Sequence, residues 1–138
     1  MKKFTLLLIF AVLISCSNDD KDVSSKNNLN GRWNWILTSG GFGGGSLTPE
    51  KLNQTMIIEF SGTSLKTYIN DNLSKTQKFS IQSKPSIFGG KRKVIVIDKG
   101  NSDTAEAFLD QSFEIIGKKL YLRQECVDCS TSEYERIK

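Results

Sequence analysis

The sequence predicts an all-β domain of about eight short antiparallel strands. From Gly31 onward, apolar residues recur at every second position in one short segment after another. The breaks between segments are turn residues too few to cross a sheet, as at Ser61-Gly62-Thr63, Asn70-Asp71-Asn72 and Gly117-Lys118. A single stretch, Thr48 to Gln54, carries helix signals.

In the first segment Trp33, Trp35 and Leu37 alternate with Asn34 and Thr38, although Ile36 interrupts the polar side. In the helix candidate, Thr48 suits the N-cap, Pro49 the first helical position and Glu50 the positive end of the dipole; about two turns are expected. Met56, Ile58 and Phe60 form the second strand, and Leu65, Thr67 and Ile69 the third. Phe79 and Ile81 mark a fourth, and Val94 to Ile97 is a continuous apolar run. Phe113 with Ile115, Leu120 with Leu122, and Tyr134 with Arg136 complete the pattern. Eight such strands leave edges to be managed. Closure into a barrel removes them and a β-sandwich shelters them, and the pattern alone leaves both architectures open.

Gly31-Arg32-Trp33 at the opening of the first strand resembles the G-x-W start of lipocalin-type barrels. The stretch through Thr48-Pro49 to Phe60, and a cysteine-containing turn leading into Glu133-Tyr134-Glu135-Arg136, resemble the small lipocalin-like lipoproteins of Gram-negative bacteria. The resemblance implies a lipocalin-like β-barrel over residues 31–138. In it, Trp33 closes the base and Arg136 packs over the indole, a contact contributing about 0.5–2 kcal/mol. Trp35, Phe60 and Phe79 fall on inward faces and are candidates to line a ligand site. Phe42 is the large apolar residue of Gly40 to Ser46, which reads as a long mobile connection able to cover the barrel mouth.

The N-terminus has the three-part logic of a secretory signal: Lys2-Lys3, the apolar run Phe4 to Ile14, then a polar stretch after Cys16. The run is far shorter than the about 20 residues a spanning helix needs. Leu13-Ile14-Ser15-Cys16 resembles a bacterial lipobox, which implies cleavage of residues 1–15 and lipidation of Cys16. Each buried CH₂ of an acyl chain contributes about 0.8 kcal/mol, so two or more chains anchor stably. Ser17 after the cysteine, and Asp19-Asp20 with Asp22, resemble sorting signals for the outer membrane and the cell surface. Residues 16–30 then read as a lipidated flexible tether of roughly 20 Å average span.

Removing residues 1–15 leaves 123 of 138 residues, one domain's worth, and lowers the formal charge from +4 to +2 by the loss of Lys2 and Lys3. Lys91-Arg92-Lys93 and Lys118-Lys119 are too short for a nucleic-acid footprint, so no nucleic-acid partner is expected.

With Cys16 assigned to lipid, Cys126 and Cys129 remain as a pair. Outside the cytoplasm a pair tends to oxidise, and residues three apart in a turn lie close enough for a disulfide. A redox C-x-x-C opens a helix, whereas Ser130 to Arg136 reads as a strand. The sequence has no histidine to complete a zinc site, so no metal and no cofactor are expected.

The Gly-rich Gly40 to Ser46 lacks the Gly-Lys-Ser/Thr ending of a phosphate loop. Ile87 and Phe88 are expected to tuck into a barrel end. Asp103-Thr104-Ala105 resembles a short bacterial O-glycosylation pattern, and the sequons at Asn53 and Asn72 read as accidents. Glu59, Asp98, Glu114 and Glu125 share no spacing, and no nucleophile elbow is present. The expected function is therefore non-catalytic: an outer-membrane lipoprotein binding a small apolar or amphipathic ligand. The alternative is a filled barrel that docks another cell-envelope protein. A cavity of about 300 Å³ or more would favour the ligand.

Overall fold

The computed structural model describes residues 28–100 and 110–138. Cys16 and Thr104 lie outside the described residues. The strands are β1 (Gly31–Gly40), β2 (Ser46–Leu47), β3 (Met56–Ser61), β4 (Ser64–Ile69), β5 (Asn72–Pro85), β6 (Lys91–Ile97), β7 (Gln111–Ile116), β8 (Lys119–Gln124) and β9 (Ser130–Arg136). One helical turn, α1 (Pro49–Leu52), precedes β3.

Each strand from β3 to β9 pairs antiparallel with the next, and β1 pairs with β3 on one side and β9 on the other. The β1–β9 ladder runs from Trp33↔Arg136 to Gly40↔Ser130. Eight strands thus close into an up-and-down barrel, and the sandwich alternative falls. Strand β2 is a ninth, additional piece on β1, at Thr38↔Leu47 and Ser39↔Ser46.

The tight turns form at the anticipated glycines and asparagines. Asn70 and Asp71 both adopt positive φ (47° and 64°) between β4 and β5, a conformation these residues tolerate. Ile36, which interrupts the alternation, is absorbed by a bulge: Trp35 faces Tyr134, the next paired residue is Leu37, and the register shifts between them. The bulge lets Thr38 face inward, where its hydroxyl accepts from the Trp35 indole at 2.9 Å.

One element differs from expectation. The helix is one turn rather than two, because Asn53 takes the left-handed conformation (φ 48°) and ends it. The Gly40–Ser46 connection closes as a hydrogen-bonded turn between β1 and β2: the Gly40 N–H donates to the Gly45 carbonyl and the Gly44 N–H to that of Gly41.

The core consists of Trp33, Trp35, Ile58, Phe60, Phe79, Ile81, Ile95, Leu120, Leu122, Tyr134 and Leu29. Phe60 and Phe79 meet edge-to-face, with centroids 5.2 Å apart. Leu29 is fully buried, so the packed domain takes in residues 28–30, which the sequence reading gave to the tether. A lone leucine among polar residues carries no periodic signal.

Candidate functional site: the barrel interior

One end of the barrel is sealed. The Trp33 indole N–H donates to the Leu29 carbonyl at 2.9 Å. The Arg136 guanidinium lies over the Trp33 ring at 3.9 Å. Its Nη1 donates to the Asn30 carbonyl at 2.8 Å, and Nη2 donates to that of Asn28. The Asn30 side chain in turn accepts from the Gly62 N–H at 3.2 Å. The chain therefore enters the barrel as a plug, with Leu29 pressed inward and its carbonyls clasped by the last strand. Gly31 makes this fit possible: its φ is +127°, and a Cβ there would lie 2.7 Å from Arg136 Nη1.

Toward the other end the interior holds a partly open cavity of about 230 Å³. Met56, Ile58, Leu65, Ile97 and Leu122 give it apolar walls. Thr67, Gln77, Gln111, Gln124 and Tyr134 supply polar atoms. Gln111 and Gln124 face each other in register across β7 and β8. Tyr134 is buried, and desolvation pushes its phenol up to about 12, opposed by a hydrogen bond with Ser132. The Ser132 hydroxyl also meets that of Thr38 at 2.8 Å. Trp35, Thr38 and Ser132 thus form one hydrogen-bonded chain inside the β1–β9 wall.

The expected ligand-lining residues sit elsewhere. Trp35, Phe60 and Phe79 fill the core between the sealed end and the cavity. Phe42 is fully exposed, because the hydrogen-bonded glycine turn carries its side chain into solvent. The residues that do line the cavity are mostly polar or half-buried. Alternation marks Met56, Ile58, Leu65, Thr67 and Leu122 but reads an inward glutamine as an outward residue, so hydrophobic patterning does not find Gln77, Gln111 and Gln124.

The rim of this end bears a covalent clasp. Cys126 and Cys129 form a disulfide across the turn from β8 to β9, with Cα atoms 5.5 Å apart. Gly40 packs against it; a Cβ there would meet the Cys129 carbonyl at 3.1 Å. Val127 in this turn is 80% exposed, beside the turn that carries Phe42.

The β5–β6 hairpin reaches a different place from the one expected. Ile87 and Phe88 do not enter a barrel end, and both are about half exposed. Phe88 lies against the Arg123 and Arg92 guanidinium groups, at 5.0 and 5.8 Å. Glu125 receives the Ser86 hydroxyl at 3.2 Å and the Ile87 N–H at 3.1 Å. Burial pushes its carboxyl up, yet bonds from Ser112, Ser86 and the Ile87 N–H, with the Arg92 charge, hold it below the ordinary carboxylate range. Lys84 pairs with Asp110 at 2.6 Å. These polar anchors, Asp110 just before β7, Arg123 on β8 and Glu125 just after it, hold the hairpin tip outside the barrel end.

Across known proteins, the chain matches no family model, no curated protein and no solved structure.

Proposed function

We propose that this chain is a bacterial lipoprotein, anchored in the outer membrane through Cys16, whose barrel binds a small amphipathic ligand without catalysis. The observation that carries the binding reading is the cavity itself: apolar walls with a convergent set of carboxamides and a tyrosine, partly open at one end of a barrel sealed at the other. Sites of this composition orient a ligand by a few polar groups and hold it by apolar contact. A volume of about 230 Å³ falls short of the mark of about 300 Å³ set from the sequence, the lower end of pockets for drug-sized molecules, roughly 300–1,000 Å³. It exceeds the roughly 150 Å³ of an apolar cavity that takes up benzene. The ligand is therefore small, and a long acyl chain is too large to be enclosed.

The anchoring reading rests on the apolar run ending at Cys16. Native mass spectrometry of protein purified from its own host tests the binding, and retained small-molecule mass is the expected result. An empty, ligand-free spectrum across growth conditions would remove this reading. Cys16→Ser tests the anchor and should move the protein from the membrane fraction to the soluble one.

A second reading, docking of another envelope protein, draws on the exposed Phe42 and Val127 at the rim. Crosslinking on intact cells at Phe42 would recover a discrete protein partner if this surface is the functional one.

A further inference from the structure

We infer that the cavity selects an uncharged ligand whose polar end is a hydrogen-bond acceptor: a small ketone, ester or amide with a short apolar remainder. This rests on the ligand-binding reading above and specifies the chemistry of that site.

The first argument is the orientation of Gln124. Its Oε1 lies 3.2 Å from both the backbone nitrogen and the hydroxyl of Ser130. A backbone N–H can only donate, so the atom facing it must be the carboxamide oxygen. The β8–β9 turn thus fixes which way this amide points. Its NH₂ group is left as a donor among the cavity walls.

The second argument is unspent capacity. Gln111 faces Gln124 in register, and Gln77 lines the same space from β5. Among the described residues, neither the Gln77 nor the Gln111 carboxamide has a hydrogen-bond partner. Three carboxamides therefore converge on one volume; Gln77 and Gln111 can offer either end, and Gln124, its oxygen already engaged by Ser130, offers its donor.

The third argument is charge. None of the residues lining the cavity is ionisable except Tyr134, which burial keeps protonated. A carboxylate or ammonium group inside would lose its water without gaining a counter-ion, at a cost of several kcal/mol. A neutral acceptor meets the Gln124 donor without that cost.

Three probes of one carbon skeleton separate the outcomes: 2-heptanone, heptanoate and heptane. Binding is read from chemical shifts in the ¹⁵N spectrum of the full domain, including the Gln side-chain NH₂ signals. The expected result is that 2-heptanone shifts the Gln124 NH₂ pair and binds at least about ten-fold tighter than heptanoate or heptane. Gln124→Glu keeps an oxygen for Ser130 but removes the donor, and should cost about ten-fold in 2-heptanone affinity. Gln111→Leu, which leaves the Ser130 bonds intact, serves as the second variant and should weaken 2-heptanone relative to heptane. Heptanoate binding as tightly as 2-heptanone, or an unmoved Gln124 signal, overturns this inference and leaves the ligand reading standing. Failure of all three probes to bind overturns both.

Discussion

The guanidinium carbon of Arg136 lies 3.9 Å from the centre of the Trp33 ring, and the same guanidinium donates to the Asn28 and Asn30 carbonyls. One side chain from the last strand thus covers the core indole and ties down the chain where it enters. Arg136→Ala should destabilise the barrel by about 2–3 kcal/mol, from the lost cation–π contact and two stranded carbonyls. Arg136→Lys should recover part of this, because a point charge cannot reproduce the fork. The check is a urea midpoint that falls in that order at constant m-value.

Gly31→Ala should be costly at the same site although it adds one methyl group. The residue sits at φ +127°, and the new Cβ would press on Arg136 Nη1. A loss of about 2 kcal/mol is expected, combining backbone strain with displacement of the guanidinium. In a double-mutant cycle with Arg136→Ala the two losses should be less than additive, since both break one contact.

Tyr134 gives the fold an alkaline limit. Its phenol titrates at about 12 in the barrel, because burial disfavours the phenolate, against an ordinary value of 10. The folded state therefore holds its proton more tightly than the unfolded chain. The stabilisation is complete below pH 10 and is lost as pH rises from 10 through 12. Its full size is on the order of 2–3 kcal/mol. Chemical denaturation across that pH range should show a steeper decline in the natural protein than in Tyr134→Phe. Equal slopes would mean that the phenol is not responsible.

The Cys126–Cys129 disulfide closes a very small loop, so the chain-entropy account gives it only about 2 kcal/mol. The paired substitution Cys126→Ser, Cys129→Ser should lower stability by that amount while the barrel stays closed. Its second effect should appear at Gln124, whose acceptor bonds to Ser130 lie immediately beside the turn. Faster exchange of the Ser130 amide hydrogen in the double variant would register that loosening.

The sequence made the barrel's ladders legible wherever inward positions are apolar. Strands β3, β4 and β8 show alternation because Met56, Ile58, Phe60, Leu65, Leu120 and Leu122 all pack into the interior. The first half of β5 is polar except for Leu73, which points to solvent; no period reveals it. Strand β2 has only two residues and exists through pairing with β1 alone. The site was hidden for a related reason. A cavity that wants polar atoms places glutamines where the pattern wants leucines, so Gln77, Gln111 and Gln124 look like surface. Trp33 was legible by period, but its pairing with Arg136 came through the G-x-W motif, and Leu29 had neither signal.

The plug at the sealed end also sets a direction. Leu29 and the clasped carbonyls of Asn28 and Asn30 fix the point from which the upstream chain departs, and that point is opposite the partly open cavity. A leash tied upstream of Asn28 would pull on the closed base, as a mooring line pulls on a keel. Under the anchoring proposed above through Cys16, the rim with Phe42 and Val127 is the end of the barrel farther from the point of attachment.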